Sequence, residues 1–137
     1  MIRKIVVSLI ASLAFSLAFA APSSSSVLLE KLYDVRQLVK SGVSFEDYSK
    51  NVTELSLDYG RFERDKNGKE FSLTEMGMRS ATEHYLKARE IWSESLTTQM
   101  SAEVQSLNQQ LLQTKWDQAN IEFGWIEAGK KSKKKQK

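Results

Sequence analysis

The chain predicts an all-α protein, an antiparallel four-helix bundle behind a cleaved signal peptide, and three observations carry that prediction. Past residue 26, apolar side chains recur at spacings of three and four instead of alternating. Pro22 is the only proline and there is no cysteine, so neither breakers nor bridges shape the body of the chain. The apolar runs are separated by short junctions rich in capping residues, around Gly42 to Ser44, Asn67 to Ser72 and Thr98 to Ser101.

Met1 to Ala20 read as the signal peptide. Arg3 and Lys4 make a basic start, and Ile5 to Phe19 is apolar apart from Ser8, Ser12 and Ser16. Ala18 and Ala20 then supply small residues at the two positions a signal peptidase reads. The apolar run is shorter than the roughly 20 residues a bilayer-spanning helix needs, so cleavage after Ala20 is expected and an uncleaved anchor is the alternative. In both cases the basic start stays cytoplasmic and Ala21 onward is exported, with the bacterial periplasm or the cell exterior as destination. Exported domains of this size from eukaryotes commonly carry disulfides, and this one has none to form.

Residues 21–26, with one proline and four serines in a row, are expected to be a linker, and residues 27–129 a single helical domain. The first helix, Val27 to Lys40, gathers Leu28, Leu32, Val35 and Val39 on one face and stops at Gly42, with Val43 returning towards Leu38. Ser44 and Asp47 resemble a capping box that opens the second helix, with Val43 and Tyr48 as its hydrophobic staple. Its stripe is Phe45, Tyr48, Val52, Leu55, Tyr59 and Phe62, and the short junction predicts a hairpin with the first helix.

After the charged turn at Asn67-Gly68, Ser72 and Glu75 form a second capping box, stapled by Phe71 and Met76. The third helix turns Met78, Ala81, Tyr85, Ala88, Trp92 and Leu96 inward, and its alanines leave room for close packing. The four-helix reading places a turn at Thr98 to Ser101. The alternative is three helices, with the third and fourth continuous, because no Gly or Pro lies between Gly77 and Gly124.

The fourth helix, Ala102 to Ala128, carries two apolar lines. Leu112, Trp116, Ala119, Phe123 and Ile126 form one, while Val104, Leu107, Leu111, Ile121 and Trp125 follow another, roughly opposite. One line belongs to the core. The other needs a further helix from the fold or a partner: a second copy, a client protein or a membrane surface.

Beyond it, Lys130, Lys131, Lys133, Lys134, Lys135 and Lys137 are expected to form a disordered tail. The chain has 20 Lys+Arg against 17 Asp+Glu. With Arg3 and Lys4 in the leader and six lysines in this tail, twelve basic residues remain, and the body carries a net charge of −5. An acidic body with a short cationic end is not the footprint of a nucleic-acid-binding domain, and no nucleic acid is expected as a partner.

Chemistry-bearing patterns are sparse. Glu63, Asp65, Asn67, Gly68 and Glu75 have the letters of a calcium loop, but the closing glutamate comes one residue late, and a capped turn explains the same letters. His84 is the sole histidine, on the flank of the third helix's inward face, where a half-buried boundary residue is expected. Glu54 and Asp58 are the sort of carboxylate pair a hydrolase uses, yet an i, i+4 pair is also ordinary helix surface. Asn51-Val52-Thr53 is a formal glycosylation sequon, but it falls inside a helix with Val52 turned inward. No serine sits in a nucleophile elbow, no glycine-rich phosphate loop is present, and no cofactor is expected.

The functional expectation is therefore an exported interaction or envelope-associated protein and not an enzyme. It would bind a protein or an anionic surface through Ile121, Trp125, Lys130, Lys131, Lys133, Lys134, Lys135 and Lys137. A self-associating structural protein, dimeric through the spare line, is the first alternative, and a carboxylate-based hydrolase the second. The run from Gly42 to Tyr48, with Tyr85, Ala88 and Trp92 downstream, resembles small exported helical proteins of bacteria, a resemblance that implies no activity.

Overall fold

A computed structural model describes residues 21–136; the expected signal peptide, Met1 to Ala20, and Lys137 lie outside the described residues. The described chain is all-helical: α1 (Ser24–Ser41), α2 (Phe45–Lys66), α3 (Leu73–Thr97) and α4 (Ala102–Lys135). The turn expected near Thr98 is present, so α3 and α4 are separate helices.

Each helix begins on a serine whose hydroxyl accepts an otherwise orphaned backbone N–H. Ser23 accepts from Ser26, Ser44 from Asp47, Ser72 from Glu75 and Ser101 from Val104. Only Ser72 and Glu75 close the reciprocal capping box, with Glu75 Oε1 accepting from the Ser72 amide at 3.2 Å. Asp47 is one methylene shorter than Glu75, and its carboxylate instead accepts from the Ser44 hydroxyl at 3.0 Å.

The serine run expected to be a linker is mostly helix, because Ser23 caps it and α1 starts at Ser24. Gly42, at φ 81°, and Asn67-Gly68, at φ 46° and 77°, make the two left-handed turns that end α1 and α2.

The core lies where the four inward stripes meet. It is built from Leu28, Leu32 and Val35 of α1, Tyr48, Val52, Leu55 and Phe62 of α2, Met78, Ala81, Tyr85 and Ala88 of α3, and Ala119, Phe123 and Ile126 of α4. Between helices consecutive in the chain, and between α1 and α4, residue numbers rise on one as they fall on the other. Lys31 pairs with Glu54, the Tyr48 hydroxyl donates to the Tyr85 carbonyl at 2.8 Å, and Phe62 meets Phe71 at 5.6 Å between ring centroids. Trp92 meets Trp116 at 5.7 Å, and the Thr74 hydroxyl donates to the Ile126 carbonyl at 3.4 Å. Between α1 and α4, Tyr33 lies 5.2 Å from Phe123, and Arg36 donates to Asn120 at 3.2 Å.

Two expectations fail at the ends of α3 and α4. Leu96, expected in the core line by its spacing, is exposed. The α1–α2 turn ends level with Trp92, which Phe45 contacts at 5.4 Å, so α3 beyond Trp92 outlasts the helices that would cover it. The lysine tail, expected to be disordered from Lys130, continues α4 through Lys135. Lysine is a good helix former, its charge suits the negative end of the helix dipole, and neither glycine nor proline interrupts the run from Lys130 to Lys135.

Candidate interaction surface on α4

Val104, Leu107, Leu111, Ile121 and Trp125 are all between 42% and 64% exposed, five of the nine large apolar side chains left in water among the described residues. At 100° per residue they fall on one strip of α4, away from Ala119, Phe123 and Ile126, which fill the core. No helix among the described residues covers this line. The N-terminal part of the strip, up to Leu111, belongs to the α3–α4 tip that extends past the α1–α2 turn.

The C-terminal part of α4 is held firmly against its neighbours. Gly129 is buried against Thr74 at the start of α3; a Cβ added there would stand 3.0 Å from the Thr74 backbone nitrogen. Gly77 on α3 plays the matching part, with Ile126 Cγ1 3.0 Å from where its Cβ would be. These glycines let two backbones approach closely, and the sequence reading missed them. Their signal was a glycine in each of two capped, uninterrupted helical runs, where it costs helix stability unless packing requires it.

The lysines divide into two kinds. Lys130 is half-buried: its ammonium lies 5.1 Å from the Tyr33 ring centroid, donates to the Tyr33 hydroxyl at 3.3 Å and sits 3.8 Å from Glu127. The Tyr33 hydroxyl in turn donates to Glu127. Lys130 therefore clasps α4 to α1. Lys131, Lys133, Lys134 and Lys135 are exposed on the last turns of the helix. Ile121 and Trp125 lie in the strip just upstream, so the structure joins the predicted apolar and cationic residues on one continuous helix, Lys137 excepted as outside the described residues.

The other candidate positions are engaged in structural contacts. Glu54 accepts from Lys31 at 2.6 Å, and that ammonium holds its carboxyl below the usual range. Asp58 pairs with Arg61 at 3.3 Å. Glu75, the late glutamate of the calcium-like run, accepts from the Ser72 amide and from Lys66 at 2.8 Å. Asn51 donates to the Asp47 carbonyl within α2.

His84 is half-buried with Nε2 3.9 Å from Glu122. Burial lowers its pKa, the Lys115 ammonium lowers it further, and Glu122 opposes both. Burial likewise raises the pKa values of Tyr48 and Tyr85, which are core groups.

A shallow cleft at the tip, between Trp92 and Leu96 of α3 and Asn108 and Leu112 of α4, has no ionisable side chain in its lining. No helix among the described residues is long and apolar enough to cross a membrane. No protein-family model, curated protein or solved structure matches the chain.

Proposed function

We propose that this chain is an exported antiparallel four-helix bundle that works at the cell envelope by contact, with α4 as its working face. The single observation behind this reading is the exposed line from Val104 to Trp125, which runs directly into four free lysines on the same helix. An aliphatic side chain left in water forgoes about 1.5–3 kcal/mol of burial, and this helix leaves a whole line of them uncovered. The apolar line docks a protein, and the lysine end adds attraction to anionic surfaces, worth about 1 kcal/mol per lysine near an acidic lipid layer. Export follows from the basic, apolar and small-residue sequence of Met1 to Ala20.

Vesicle sedimentation tests the cationic half of the reading. The chain is expected to bind phosphatidylglycerol vesicles better than phosphatidylcholine vesicles, with binding that falls as salt rises. Changing Lys131, Lys133, Lys134 and Lys135 together to Gln keeps the helix and should weaken that binding about tenfold or more. Equal binding to both vesicle types, or an unchanged affinity in the quadruple variant, would reject the role given to the lysine end.

A further inference from the structure

We infer that the apolar line of α4 docks against the same line of a second copy of this chain, with the two helices antiparallel. The inference rests on α4 being the contact face and goes further by naming its occupant. From Val104 to Trp125 the exposed positions, together with the half-buried Gln118, step by three and four, the spacing of a coiled-coil seam, with Thr114 and Gln118 as its two polar members. That seam is about 32 Å long at 1.5 Å per residue.

One antiparallel register satisfies all of it. Leu111 packs against Ile121 of the second copy, Leu107 against Trp125, and Thr114 faces Gln118, so that apolar meets apolar and polar meets polar. A two-fold axis makes every pair occur twice, which closes the assembly as a dimer.

Charge selects the same direction. From Glu90 to Thr114 the chain carries Glu90, Glu94 and Glu103 and no Lys or Arg, whereas Ala128 to Lys137 carries only lysines as charged residues. Antiparallel docking lays the acidic α3–α4 tip of one copy beside the lysine end of the other and brings Glu103 opposite Lys131. Parallel docking would place the two lysine ends side by side, at a cost in like-charge repulsion.

The absence of cysteine makes the test direct. Protein recovered after expression of the full chain should sediment as a dimer at high concentration and dissociate on dilution. Leu111→Glu, at an exposed position, should leave the circular dichroism unchanged and weaken self-association about tenfold or more. Glu103→Lys should weaken it, and adding Lys131→Glu should restore it.

Leu107→Cys and Trp125→Cys proteins, oxidised separately, should stay uncrosslinked, and mixed they should form a disulfide-linked pair. Disulfide formation between like chains of either variant would overturn the antiparallel register. Sedimentation as a monomer at every concentration would overturn the second copy as occupant. If that monomer still binds anionic vesicles through its lysines, the contact role of α4 survives and only this inference falls. If it binds neither itself nor those vesicles, both fall.

Discussion

Adding one methyl group to α4 should have opposite consequences at two positions five residues apart. Replacing a helical glycine with alanine gains about 1 kcal/mol from the unfolded chain's lost freedom and the better helix former. At Gly124 no heavy atom lies within 4 Å of the new Cβ, so Gly124→Ala should keep the whole gain and raise the melting temperature by about 3–6 °C.

At Gly129 the same methyl meets Thr74, with the backbone nitrogen at 3.0 Å, Thr74 Cβ at 3.2 Å and the hydroxyl oxygen closer still. The hydroxyl can rotate away, but the backbone of the first turn of α3 cannot. Overpacking of this kind costs about 1–3 kcal/mol, enough to outweigh the propensity gain and leave Gly129→Ala less stable by about 1 kcal/mol.

Urea and thermal unfolding followed by circular dichroism measure both variants. Adding Thr74→Ala to Gly129→Ala should recover only part of the loss, since the backbone nitrogen stays in place. Equal stabilisation by the two alanines would refute the docking of the end of α4 onto the start of α3, and with it the placement of the lysine-bearing turns.

Other consequences follow from the same contacts. Tyr48→Phe removes the buried donor to the Tyr85 carbonyl and should cost about 1 kcal/mol in unfolding free energy, with the helix content unchanged. Ser72→Ala should cost about 1 kcal/mol and more than Ser44→Ala, because only Ser72 belongs to a closed capping box. His84 should titrate below the ordinary histidine value of about 6.5 in a proton NMR titration. Because folding lowers its pKa, its contribution to stability is complete above that ordinary value and is lost as pH falls through the folded one. His84→Gln should therefore flatten the acid side of the stability profile in that window, and an unchanged slope would remove His84 as its source.

The sequence made the helices legible because their signals are local. Three-four spacing and the serines at 44, 72 and 101 identify the starts of α2, α3 and α4, and the turn at Thr98 separates the last two helices despite having no Gly or Pro. The division of α4 into a core line and an exposed line was also readable, since both are periodicities of one segment.

What the sequence hid depends on neighbours. Leu96 has the spacing of a core residue but lies beyond the end of the α1–α2 turn, a matter of relative helix length. Lys130 looks like any tail lysine until Tyr33 and Glu127, distant in sequence, are seen beside it. Gly77 and Gly129 read as weak points in helices until the backbone of the facing helix shows what they admit.

Thiol labelling in intact cells tests most directly whether the exposed line of α4 is a contact face. Leu111→Cys lies on the line and Gly124→Cys, also exposed, lies off it, and each introduces the sole cysteine of its chain. With a small alkylating reagent, the cysteine at 111 should react several-fold more slowly than that at 124 in cells, and at a similar rate in dilute purified protein. Equal rates at the two positions in cells would mean that nothing covers Leu111 where the protein works, and would contradict the account.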